Sequence, residues 1–195
     1  MVAELLGASR IDRLVCADLH SRAVEGCFPW PVEHATGIPA LVARLKGLPR
    51  DSVVVSPDLG GIKRAEAVAR PLGLPVAVVV KHRLSGENVS AQGVVGQVKG
   101  LHAVVVDDMI STGGTLEAAV RAVLEAGAQS RVTVVATHGL FVGPAEARLQ
   151  GLPLERVLVT DTLPTPVLAK IPLEVVPIAP ALAEVLRRLE TVASL

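Results

Sequence analysis

The sequence has no tyrosine, two phenylalanines and one tryptophan, so aromatic residues are only 2% of its 195 residues. Hydrophobic residues still reach 50%, which leaves Val, Leu, Ala and Ile to fill the core. An excess of charge is also missing: Lys and Arg number 19, Asp and Glu 19, and the isoelectric point is near 7.0. A general nucleic-acid or membrane-surface binder would carry a basic excess, so neither partner is expected. Small anions need only local charge and stay open. No apolar run approaches the ~20 residues of a membrane span. The opening Met-Val-Ala-Glu-Leu-Leu has no basic leader and no sustained apolar stretch, so the cytoplasm is the expected compartment. The two cysteines, Cys16 and Cys27, match no metal or redox spacing and are expected reduced.

What is present is an alternation. Short β-branched runs at 14–17, 52–56, 76–80, 103–107, 132–137, 156–160 and 174–178 read as strands. Helical patterns lie between them at 38–46, 61–72, 115–126, 144–150 and 181–191. Most strands are continuous apolar runs, the pattern of strands covered on both faces. Alternating βα units of this kind imply a doubly wound α/β sheet of one domain's size, with ligands at the strand carboxyl ends. The Pro-rich stretch 28–32 reads as a connection between two structural bodies.

Four polar clusters fall at that carboxyl edge. The richest is Asp107-Asp108 followed by Ser111-Thr112-Gly113-Gly114-Thr115, between an apolar strand and a helix. Glycines allow close backbone approach, and amides with three hydroxyls suit a phosphate. The acids in front supply acceptors for sugar hydroxyls, so the element reads as a site for a phosphorylated ribose. Ser56-Pro57-Asp58-Leu59-Gly60-Gly61 repeats the strand–turn–helix setting, with Asp58 suited to a cation that accompanies an anion. Pro-Asp-x-Gly is equally an ordinary turn signal. Lys63 and Arg64 add positive charge beside the same loop. Lys81-His82-Arg83 puts two cations on one face of an extended segment, ahead of a polar loop at 84–92. A solvated charged turn has the same spacing. Asp18-Leu19-His20 likewise puts an acid and a histidine on one side of an extended segment. His138 stands similarly after its own strand, and a structural histidine fits both places.

Taken together these residues resemble the ribose-phosphate diphosphokinases, or PRPP synthetases, which make 5-phosphoribosyl 1-diphosphate. The resemblance runs from about Leu5 to near the C-terminus, through the clusters above and through Asn88-Val89-Ser90, Ala136-Thr137-His138 and Asp161-Thr162. The Asp-Asp-x-x-x-Thr-Gly-Gly-Thr element alone fits any type I phosphoribosyltransferase; the Ser-Pro-Asp-x-Gly-Gly and Lys-x-Arg elements narrow it. The resemblance implies an α/β, type I phosphoribosyltransferase-like (Rossmann-like) parallel sheet with helices on both faces. It implies that Asp107 and Asp108 hold the ribose hydroxyls, and Ser111, Thr112, Gly113, Gly114 and Thr115 the 5-phosphate. His20 and Asp58 would be Mg2+ ligands and, with Gly60 and Gly61, would bind the phosphates of ATP. Lys81 and Arg83 would be catalytic, stabilising the transition state as pyrophosphate passes from ATP to ribose 5-phosphate. Ser111 stands where many members of the family have an Asp.

The family carries a further N-terminal half, including an ATP-gripping loop, ahead of the segment matched here. The resemblance therefore divides the chain into 1–31, a remnant of that half, a phosphoribosyltransferase-like domain at 32–178, and a C-terminal helix at 179–195. Val185, Leu186 and Leu189 would then lack their usual partners, which implies a homo-oligomer or a different packing of the termini. Two other readings stay open: a type I phosphoribosyltransferase, and a non-catalytic regulator or subunit that binds PRPP or ribose phosphate.

Overall fold

Valine runs account for the centre of the molecule. The computed structural model describes residues 2–9, 11–83, 90–164, 166, 168 and 170–193, without the side chains of 81–83, 90–92, 192 and 193. In chain order the elements are α1 (Val2–Gly7), β1 (Leu14–Ala17), a 3-10 helix (Arg22–Cys27), β2 (Val32–Ala35), α2 (Ile38–Leu45) and β3 (Ser52–Ser56). They continue with α3 (Ile62–Leu72), β4 (Val76–Arg83), β5 (Ser90–Val95), β6 (His102–Ile110), α4 (Gly114–Glu125) and β7 (Val132–Gly139). The last are α5 (Ala145–Gln150), β8 (Leu154–Thr160), β9 (Leu173–Val176) and α6 (Ala179–Ala193).

Seven of these strands form one sheet in the order β5-β4-β3-β6-β7-β8-β9. All pairs are parallel except β4 with β5, a hairpin with Lys81 opposite Gln92. The register stacks valines: Val54 beside Val104, Val105 beside Val134, and Val135 beside Leu158. Because side chains alternate along a strand, each run feeds two cores. On one face Val53, Val55, Val105, Val134 and Val159 meet Leu116, Val120 and Val123 of α4 and Leu149 of α5. On the other, Val54, Val104, Val106, Val135 and Leu158 meet Leu41 and Leu45 of α2 and Val68 of α3. Each fully buried Val or Leu adds ~1.5–3 kcal/mol. This is the parallel-dominated α/β sheet with helices on both faces that the resemblance implies.

Two strands were not evident in the sequence. In β5, a polar start and an internal glycine hide the strand, which forms by pairing with β4. In β2, Glu33 and His34 interrupt the apolar pattern. β2 does not join the main sheet; it pairs in parallel with β1 as a separate two-stranded sheet. Helix α6 packs against β1, β2 and α2. Val185 is buried there at 3% exposure while Leu186 stays 52% exposed, so Val185 has found a partner surface within this chain. Cys16 and Cys27 are free thiols. Among the described residues, no helix is long and apolar enough to cross a membrane.

Candidate active site

Two strand ends and two turns build the site. β6 runs further than its apolar pattern suggests, through Ile110, and stays paired with β7 at Met109–His138 and Ile110–Gly139. Asp107 and Asp108 are therefore held within a central strand, and the turn is confined to residues 111–113. Gly113 takes φ 76 before α4 begins, a left-handed conformation that glycine adopts without strain. A cavity of about 230 Å3 opens here, lined by His20, Asp58, residues 107–110, Ser111, Thr112, Gly113, Gly114, Thr115 and Leu116.

The acids are held differently. Asp107 Oδ1 accepts from the Asp108 amide at 2.9 Å, and Asp108 Oδ1 accepts from the Met109 amide at 3.0 Å. His20 Nδ1 donates to Asp108 Oδ2 at 2.5 Å. Arg64, in the third position of α3 after Lys63, brings its guanidinium 3.4 Å from Asp107 Oδ1 and 3.6 Å from Asp108 Oδ2. Burial pushes the Asp107 carboxyl up to about 7, with the neighbouring Asp108 adding to the rise. Asp108 is also buried, but the His20 hydrogen bond and the Arg64 charge overcome that and hold its carboxyl below the usual range. The same hydrogen bond raises the His20 imidazole. One acid of the pair is thus readily protonated, and the other is held as an anion.

On the neighbouring strand, Ser56 Oγ donates to the Asp58 carbonyl at 2.6 Å and Asp58 Oδ1 accepts from the Gly61 amide at 2.9 Å. This closes the turn into α3. A Cβ at Gly61 would stand 2.7 Å from Ser56 Oγ, and one at Gly60 would stand 3.3 Å from Asp58 Oδ1. Gly60 and Gly61 shape the loop but do not line the cavity; Asp58 does both. Lys81 and Arg83 lie in β4 beyond the level at which β3 ends, since Ser56 pairs with Val78. Their side chains, and residues 84–89 with Asn88 and Val89, fall outside the described residues.

Asp18 and His20 do not act on one side of an extended segment. β1 stops at Ala17 and Asp18 turns to φ 40. Its carboxylate accepts from the Gly37 amide at 2.8 Å and the Thr137 hydroxyl at 2.7 Å. His138 Nε2 donates to the Asp18 carbonyl at 3.2 Å. These bonds anchor the segment and leave His20 to reach Asp108. The sequence signalled Arg64 only as nearby charge. Arg148, whose Nη1 donates to the Thr112 carbonyl at 3.0 Å, lay in no motif at all.

Among the described residues, no three His, Cys, Asp or Glu side chains converge as a closed metal cage. Mg2+ keeps several waters and usually takes one or two carboxylates plus substrate phosphates, so the oxygen of Asp58 in an open cavity fits such an ion better than a protein-saturated one.

Residues 44–152 match a family model described as the phosphoribosyl transferase domain. The chain is 42% identical over 192 residues to a ribose-phosphate pyrophosphokinase of Aquifex aeolicus, covering 97% of this chain and 61% of that relative. It is 44% identical over 188 residues to one of Corynebacterium efficiens, covering 94% of this chain and 58% of the relative. The crystal structure of phosphoribosylpyrophosphate synthetase from Mycobacterium smegmatis superposes with a TM-score of 0.85 at 39% identity, over 97% of this chain and 62% of that one. The chain thus spans about three fifths of the length of these curated relatives.

Proposed function

The chain belongs to the phosphoribosyl transferase domain family, where it stands with the ribose-phosphate pyrophosphokinases, and from that premise we propose that it serves the synthesis of 5-phosphoribosyl 1-diphosphate from ATP and ribose 5-phosphate. The observation that carries the proposal is a single cavity lined by His20, Asp58, Asp107, Asp108 and the whole of residues 111–115. An acid pair for vicinal hydroxyls adjoins a hydroxyl- and glycine-rich loop for a phosphate, and a histidine with a further acid stands beside them.

In this reading Asp107 and Asp108 accept hydrogen bonds from the ribose hydroxyls. The loop from Ser111 to Thr115 donates to the 5-phosphate, whose charge is favoured at the start of α4. The C1 hydroxyl oxygen then attacks the β-phosphorus of ATP. One oxygen–phosphorus bond forms as the bond from the β-phosphorus to the α-phosphate oxygen breaks, AMP departs with that oxygen, and the hydroxyl proton passes to solvent. Lys81 and Arg83 are assigned the charge that builds on the transferring group, where one well-placed cation is worth ~10³-fold or more. His20 and Asp58 would hold Mg2+, which supplies charge neutralisation of the nucleotide phosphates when bound. The ionised state of Asp107 accepts two hydroxyls better than the protonated one, so Arg64 is assigned the task of keeping that state within reach. A cytoplasmic homo-oligomer acting on ATP and ribose 5-phosphate completes the proposal.

The test is AMP formation by the purified chain with ATP, ribose 5-phosphate and Mg2+. AMP that depends on ribose 5-phosphate, and disappears in the Asp107→Ala/Asp108→Ala double variant, is the expected result. Saturable PRPP binding without AMP would replace synthesis by a binding or subunit role. Pyrophosphate release from PRPP and a purine or pyrimidine base would identify a transferase instead.

A further inference from the structure

Arg148 contacts the phosphate loop from behind. It lies in α5, and its Nη1 hydrogen bond to the Thr112 carbonyl measures 3.0 Å. Its Nε stands 3.6 Å from Glu117 Oε2 in the first turn of α4. The same Nη1 is 3.1 Å from where a Cβ on Gly114 would be, so the absence of a side chain there leaves room for the guanidinium. One cation therefore joins α5 to the loop and to the helix that follows.

These contacts contribute little to overall stability, because the Arg148 side chain is 38% exposed and such ion pairs are screened. Their effect is on geometry. A trans peptide is planar, with its C=O and N–H pointing to opposite sides. While the Thr112 carbonyl is held by Arg148, the Gly113 N–H must point away from α5. Gly113, at φ 76, has no Cβ to oppose a flip of the 112–113 peptide. Sterics alone leave that peptide two orientations, and a flipped one would present a carbonyl oxygen where an anion needs a donor.

Resting on the reading of residues 111–115 as the ribose 5-phosphate cradle, we propose that Arg148 is a positioning residue which locks the 112–113 peptide in its phosphate-binding orientation. It acts through the loop amide and does not touch the substrate. Glu117 fixes the guanidinium only from one side and is dispensable for this role, since the Thr112 carbonyl is the contact that selects the orientation.

The experiment is calorimetric titration of the full chain with ribose 5-phosphate and, separately, with inorganic phosphate, alongside thermal melts. Arg148→Met is expected to weaken both ligands by about tenfold or more, the effect of losing one charge-assisted hydrogen bond, with a melting temperature within about 2 °C of wild type. Arg148→Lys, which keeps one donor, recovers part of the affinity; Glu117→Gln keeps all of it. Equal affinity in wild type and Arg148→Met overturns the proposal and leaves the cradle reading standing. Affinity that falls only in step with melting temperature, with no recovery in Arg148→Lys, also overturns it by making the role merely structural. If Arg148→Met does not fold, Arg148→Lys against Glu117→Gln decides the matter by the same affinities. Wild-type protein that binds neither ribose 5-phosphate nor PRPP removes the cradle reading, and this inference with it.

Discussion

Asp107 and Asp108 are neighbours in sequence, yet the fold gives them opposite titration behaviour. Burial raises Asp107 to about 7, whereas His20 and Arg64 keep Asp108 low. The native state holds the Asp107 proton more tightly than the unfolded chain, whose carboxyl titrates near 3.8. Its stabilising contribution is therefore complete below that value and is lost as pH rises toward 7. Asp108 runs the other way: its contribution is present above 3.8 and is lost as pH falls through its lowered native value. Asp107→Asn should remove the first of these slopes. We expect it to melt several degrees above wild type at pH 8, at ~2–4 °C per kcal/mol for a chain of this size, with little difference at pH 4. Melting curves followed by circular dichroism check this, and an equal gain at both pH values would contradict it. Arg64→Gln takes away the cation shared by both acids. That variant should lose ~1–3 kcal/mol at pH 8, the cost of leaving buried charge unpaired, and recover as Asp107 is protonated toward pH 6.

At the scale of an element, the loop between β3 and α3 is held by two side-chain bonds and one missing side chain. Ser56 Oγ donates to the Asp58 carbonyl, and the Asp58 carboxylate accepts from the Gly61 amide, which closes the turn. Gly61→Ala would put a methyl 2.7 Å from Ser56 Oγ, and the strain is expected to cost ~1–3 kcal/mol. Ser56→Ala removes the clashing oxygen, so the Ser56→Ala/Gly61→Ala double variant should be more stable than Gly61→Ala alone. A chemical-denaturation series measures the difference, and strict additivity would show that the clash is relieved elsewhere. The loop after β6 differs in kind. A Cβ on Gly113 meets nothing closer than 3.5 Å, so Gly113→Ala is opposed by its left-handed backbone, at ~1–2 kcal/mol, and not by crowding.

Over the whole molecule, stability is concentrated in the seven-stranded sheet. β3 is buried throughout, and β6 and β7 nearly so. β1 and β2 form a two-stranded parallel sheet in which only Ala35 is buried, and such a pair is marginal without a covering helix. Helix α6, on which Val185 is buried, packs against both strands. Val185→Ala should therefore speed amide exchange in β1 and β2 while leaving β3, β6 and β7 protected, because regions of low contact open independently. Hydrogen exchange read by mass spectrometry would show it. A uniform loss of protection would mean that the two sheets unfold as one unit.

The sequence by itself determined the alternation of strands and helices, since continuous Val runs have one stable use, between two helical layers. It also marked Asp107-Asp108 and residues 111–115 as one element, because they are contiguous, and the structure lines one cavity with them. Contacts between distant residues were decided only by the tertiary structure. Arg64 meets the acids because β3 and β6 are adjacent in the sheet, and His20 meets Asp108 across 88 positions of chain. Arg148 reaches Thr112 only because α5 packs beside α4. β2, which follows the stretch read as a connection at 28–32, was not evident because Glu33 and His34 break its apolar pattern and its partner is β1, not the main sheet. The Asp107–Thr115 element is local and contiguous, and so legible; the charges that set the protonation of its acids and hold its loop come from distant positions, and no local pattern records them.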